Sequence, residues 1–135
     1  ETLPVGRGRR LREGRDVALV TVGTVGNAAA RAAERAAAQG VEVAHYDLRW
    51  VKPLDTELLD EVGRTFRRVI TVEDGCPRGG VGEAVAAYFN ARGYDAHVTC
   101  LGIGDAWVEH GTPEQLHALC GYDEESILRA LTQPV

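Results

Sequence analysis

Short apolar runs alternating with helix-patterned stretches constrain this chain more than any other feature. Val17-Ala-Leu-Val-Thr-Val22 is rich in β-branched residues, carries no charge and stops at Gly23. A run of this kind is expected as a strand buried on both faces of a parallel sheet. Glu42–Asp47, Arg68–Glu73 and His97–Leu101 read as further strands. Between the first two lies Val25–Gln39, alanine-rich, with Arg31, Glu34 and Arg35 marking a polar side and Gly40 ending it. Asp55–Thr65 opens just after Pro53 and carries Leu58, Leu59 and Val62 on one side. Glu83–Arg92 is a helix closed by Gly93. Thr112, Pro113 and Gln115 begin a helix running to Cys120, and Asp123 caps a last one over Glu124–Leu131. Strands separated by helices imply βαβ units. The expected fold is therefore α/β, a three-layer sandwich with a mostly parallel sheet of about five strands and helices on both faces.

Charge divides the chain. Net charge is −5. Residues 1–15 carry Arg7, Arg9, Arg10, Arg12 and Arg15 against only Glu1 and Glu13, so the acidity lies in the remainder. Residues 1–15 read as a linker or lead-in from a preceding domain, and 16–135 as the folded domain. A net-acidic body lacks the basic face that phosphate neutralisation needs, so nucleic acid is not expected as a partner. No run approaches the ~18 apolar residues of a membrane span, and no signal peptide is recognisable. The 135 residues include no Met and open at Glu1, which points to a chain processed or cut from a longer protein. The three cysteines, Cys76, Cys100 and Cys120, are widely spaced, and His117 with Cys120 is too small a set for zinc. A reduced, cytoplasmic protein is expected.

Three segments carry possible chemistry. Gly23-Thr-Val-Gly26 joins a strand to a helix, as a dinucleotide turn would, but the full fingerprint needs a third glycine. The second segment runs from Glu73 and Asp74 through Gly75, Cys76, Arg78, Gly79 and Gly80 to Gly82. Its glycines let the backbone approach something closely. That partner is either an anion held at the N-terminus of the next helix or another protein domain, and sequence leaves both open. The third segment, Asp105-Ala-Trp-Val-Glu-His-Gly111, gathers Asp105, Trp107, Glu109 and His110. Carboxylate and imidazole are the raw material of acid–base catalysis, yet no nucleophile accompanies them. A structural or interface loop is the better reading there.

The same segments resemble the transketolase C-terminal domain family. Asp16–Asn27 is similar to its opening strand and turn. Val43-Ala-His-Tyr-Asp-Leu-Arg-Trp-Val-Lys-Pro-Leu-Asp55 is similar to its second strand and D-x-R-x-x-K-P-L-D segment, and Val69–Gly75 with Gly79–Gly82 to its third strand and glycine loop. Within that family, Leu3–Arg10 and Leu101-Gly-Ile-Gly-Asp105 with Val108–Gly111 resemble 1-deoxy-D-xylulose-5-phosphate synthases. Gly104, Ala106 and Trp107 depart from the family pattern of Pro, Arg and Phe, and Glu83 stands where a small residue is usual.

The resemblance implies a parent transferase that condenses pyruvate with glyceraldehyde 3-phosphate and releases carbon dioxide, an early step towards isoprenoids and thiamine. Thiamine diphosphate and magnesium would serve the parent. None of the family's cofactor motifs falls in these residues, so the fragment is expected to hold no catalytic, cofactor-binding or metal-binding residue. Its implied partners are the preceding domains and a second subunit of a homodimer. The glycine loop and Asp105–Gly111 are the candidate contact surfaces. The alternatives are the C-terminal domain of a 2-oxo acid dehydrogenase beta subunit or of a transketolase, and a free-standing anion- or nucleotide-binding α/β module. An antiparallel strand at the sheet edge would favour the enzyme-domain class.

Overall fold

The computed structural model describes residues 8–22, 26–48, 55–73, 81–101 and 124–133. The elements in order are β1 (Arg9–Arg12), β2 (Val17–Val22), α1 (Gly26–Ala38), β3 (Val43–Asp47), α2 (Thr56–Thr65), β4 (Arg68–Glu73), α3 (Val81–Arg92), β5 (His97–Leu101) and α4 (Glu124–Thr132). The helix expected over Thr112–Cys120 lies outside the described residues.

The five strands form one sheet in the order β1-β3-β2-β4-β5. β2 pairs in parallel with β3 and with β4, and β4 in parallel with β5. β1 alone is antiparallel, pairing with β3 through Arg9–Asp47, Arg10–Tyr46 and Arg12–His45, with a register shift between Arg10 and Arg12. The α/β class with a mostly parallel sheet is thus observed, and so is the antiparallel edge strand. Arg9–Arg12, within the stretch read as a linker or lead-in, pairs with β3 as the edge strand of the sheet. Its arginines are compatible with an edge strand, where charge on the exposed side discourages pairing with other chains.

The sheet is covered on both faces because side chains alternate along each strand. One face takes Val17, Leu19, Val43, Ile70 and Val72 against Ala29, Ala32, Ala33 and Ala36 of α1 and Ile127, Leu128 and Leu131 of α4. The other takes Ala18, Val20, Ala44, Tyr46 and Val69 against Leu59 and Val62 of α2, Phe66, and Val81, Val85 and Phe89 of α3. Each large aliphatic side chain buried this way stabilises the fold by about 1.5–3 kcal/mol before entropy is counted. α1 and α3 end at glycines in the left-handed region, Gly40 (φ 88°) and Gly93 (φ 77°), where a side chain would be strained. Arg68 on β4 closes α4 by donating from Nη1 to the Leu131 carbonyl at 3.1 Å and from Nη2 to that of Ala130.

Candidate functional site

The order of the strands changes direction between β2 and β4. From β2 the chain crosses to β3 on one side, with α1 on one face. β4 lies on the other side of β2, and α3 packs on the opposite face. In open α/β sheets the carboxyl ends of strands at such a switch point form the usual ligand crevice. Val22 and Glu73, the last residues of these two strands, are register partners. The residues just before the Gly23–Gly26 and Asp74–Gly82 segments therefore stand side by side, which periodicity along the chain does not reveal.

Of the residues singled out in the glycine loop, Glu73 and Gly82 are among those described. Asp74, Gly75, Arg78, Gly79 and Gly80 lie outside them. The Gly82 N–H, in the first turn of α3, donates to Glu73 Oε1 at 3.3 Å. A carboxylate suits the positive end of a helix, and here it takes a first-turn N–H that a bound anion could otherwise use. Glu83 adds a second acidic residue to the same turn. Gly82 is buried. A Cβ there would stand 2.5 Å from Cys100 Sγ and 2.7 Å from Thr71 Oγ1. Its missing side chain lets α3 lie close on β4 and β5. That use of glycine is helix–sheet packing, and neither an anion nor a partner is needed to account for it.

Asp105, Trp107, Glu109 and His110 also lie outside the described residues, as do Cys76 and Cys120. Cys100 is a free, half-buried thiol on β5. Among the described residues no group of three or more His, Cys, Asp and Glu is placed to hold a metal ion. Among them, too, no helix is long and apolar enough to cross a membrane.

Two buried polar groups escaped the sequence reading. His45 is fully enclosed on β3, and its Nε2 lies 2.9 Å from Thr21 Oγ1 on β2. Burial is the main cause that lowers its pKa to about 4, and the Arg12 charge adds to it, while Asp47 acts in the opposite sense. The ring is therefore neutral at pH 7. Thr21 in turn reaches the Tyr46 carbonyl at 3.5 Å.

Asp55 is the second. It lies buried at the start of α2, where Oδ1 accepts from the Leu58 N–H at 3.1 Å as a helix cap. Its Oδ2 accepts from the Gly8 N–H at 2.7 Å. Beside it is a cleft of about 360 Å³ lined by Arg9, Arg10, Tyr46, Glu57, Leu58 and Glu61. The charges there are engaged with one another. Tyr46 donates to Glu61 Oε2 at 3.2 Å, and Arg10 lies 3.6 Å from the same carboxylate. Burial, with Glu61 beside it, pushes the Tyr46 hydroxyl up to about 12.

Comparison with known proteins agrees with this geometry. Residues 6–127 match the family model for the transketolase C-terminal domain. A 1-deoxy-D-xylulose-5-phosphate synthase of Bacteroides fragilis is 49% identical over 98% of this chain and 21% of its own length. That of Bacteroides thetaiotaomicron is 48% identical over 97% of this chain and 20% of its own. The chain thus spans about a fifth of the length of these relatives. A solved structure titled split gene transketolase, inactive beta4 tetramer, superposes with a TM-score of 0.88 at 33% identity, over 97% of this chain and 43% of that one. With nearly its whole length matched and the sheet order in place, the chain belongs to the transketolase C-terminal domain family.

Proposed function

We infer that this chain is the C-terminal, non-catalytic domain of a 1-deoxy-D-xylulose-5-phosphate synthase. The parent would join pyruvate to glyceraldehyde 3-phosphate, with loss of carbon dioxide, in the cytoplasm. The observation that carries this reading is 49% identity to a curated synthase over 98% of the chain. The domain's own task is packing against the preceding domains and a second subunit. The glycine loop and the Asp105–Gly111 loop are the surfaces we assign to that contact. Against the anion alternative stands Glu73 at the end of β4, which already takes a first-turn N–H of α3.

Thiamine diphosphate and magnesium belong to the parent's chemistry, and the described residues do not fit them. A magnesium-bound diphosphate needs free carboxylates or a cluster of free N–H donors. Asp55 has both oxygens committed to N–H groups, and Glu61 is held by Tyr46 and Arg10.

Two measurements test the reading. Titration of the isolated chain with thiamine diphosphate and magnesium should give no binding heat, and micromolar affinity would overturn the non-catalytic assignment. Exchanging this chain for the corresponding fifth of the Bacteroides fragilis synthase should leave an enzyme that releases carbon dioxide from pyruvate when glyceraldehyde 3-phosphate is added. A folded but silent chimera would count against the parent assignment.

A further inference from the structure

The attachment of β1 differs from that of every other strand. It alone is antiparallel, with a register shift in the middle of its pairing with β3, and three of its four residues are exposed; like β5 it has a single neighbour in the sheet. Leu11 is the one exposed large hydrophobic side chain among the described residues. Ion pairs of β1 run over long distances or between exposed groups: Arg9 with Asp47 at 4.0 Å, Arg10 with Glu61 of α2 at 3.6 Å, and Arg10 with Glu13 of its own segment at 3.3 Å. Pairs of this kind contribute little. A segment with so little buried apolar surface is the sort that opens locally while the rest stays folded.

The segment is held at its two ends. At the inner end the Asp16 N–H donates to the Glu42 carbonyl at 2.9 Å, and Asp16 Oδ2 accepts from the Glu42 N–H at 2.7 Å. At the outer end stands the bond from the Gly8 N–H to Asp55 Oδ2, formed across 47 residues of sequence. Asp55 is only 5% exposed, so this bond is shielded from water. Gly8 is pressed close. A Cβ there would lie 2.6 Å from the Asp47 carbonyl oxygen and 2.9 Å from Leu58 Cδ1.

We propose that Asp55 is a latch. It holds the outer end of the lead-in strand to the start of α2, and its release frees β1 while the parallel sheet stays folded. Shut, the latch fixes where the chain leaves the domain, beside the N-terminus of α2. Open, the chain is held from Asp16, and residues 8–15 reach up to about 26 Å. On the reading that other domains precede this one, the latch decides whether they are joined rigidly or loosely. That consequence rests on the proposed function, whereas the latch does not.

Amide hydrogen exchange on the 135-residue chain tests it. Asp55→Asn keeps an acceptor oxygen for the Leu58 N–H, since Asn is a good cap, but turns an NH2 group toward the Gly8 N–H. The expected result is at least tenfold faster exchange in Arg9–Arg12, with Val17–Val22 and Arg68–Glu73 unchanged. Unchanged β1 amides would overturn the latch. So would acceleration confined to the first turn of α2, or a rise shared by all strands, which would mean that β1 opens only with the whole domain. Gly8→Ala attacks the same contact from the other side and should give the same local acceleration; protected β1 amides in that variant would also overturn it. Failure here leaves the calorimetric and chimera tests untouched, so the two readings fall separately.

Discussion

The two faces of the sheet are built by opposite means. On the α1 and α4 face, Ala29, Ala32, Ala33 and Ala36 bring a helix backbone close to the strands. On the α2 and α3 face, large rings carry much of the packing, although Gly82 brings the start of α3 close to β4 and β5. Tyr46 meets Phe66 edge-on with centroids 6.5 Å apart, and Phe89 meets Tyr94 likewise at 6.0 Å. Polar groups follow the same division. The alanine face encloses His45 and Thr21 in its interior, since they alternate in step with Val43 and Leu19. The aromatic face sends its hydroxyls to the rim, where Tyr94 and Tyr88 donate to Asp60 Oδ1 at 2.7 and 2.9 Å. Those bonds, Tyr94's above all, hold the Asp60 carboxyl below its usual range, and Arg92 and Arg64 reinforce them. One face thus depends on closeness and the other on bulk. Added volume should harm the first, and removed volume the second.

The largest effect is expected on the aromatic face. Phe89→Ala should cost about 3–5 kcal/mol in urea unfolding, because a ring that is 1% exposed leaves a cavity. A loss under 1 kcal/mol would mean that this face can collapse around the gap, and the contrast would fail. Next comes acid. The unfolded chain takes up the His45 proton near pH 6.5, and the folded chain only near 4. Stability from this group is therefore complete above about pH 6.5 and falls as pH drops through that window, by on the order of 3 kcal/mol at its end. His45→Gln should flatten that part of the profile, and an unaltered slope would show that the ring is not the group responsible. The smallest effect is Ala32→Val, for which overpacking should cost about 1–3 kcal/mol. If Ala32→Val costs more than Phe89→Ala, closeness outweighs bulk, and the comparison sharpens in the opposite direction.

Much of the frame was legible. β4 and β5 have the bounds that their apolar runs suggest, and α2 starts one residue inside its expected range, with Asp55 as the cap. β1 was not legible. Five arginines in 15 residues look like a solvated lead-in, and an edge strand needs so little buried surface that periodicity has nothing to detect. The glycine loop was legible only by half. Its glycines announce a close approach, and sequence cannot say to what. At Gly82 the neighbours are Cys100 and Thr71 of the same domain. His45 sits in a strand whose other members are apolar or acidic, and nothing local marks it as enclosed.

What sequence settles by itself follows from local physics. β-branched runs, alanine-rich stretches and closing glycines dictate strands, helices and their alternation, and alternation at this length dictates a parallel α/β sheet. What only the tertiary structure decides is which polar groups meet. Gly8 and Asp55 are 47 residues apart, and Thr21 and His45 are 24 apart. A hydrogen bond depends on a separation of about 3 Å in space, and no periodicity along the chain encodes that distance.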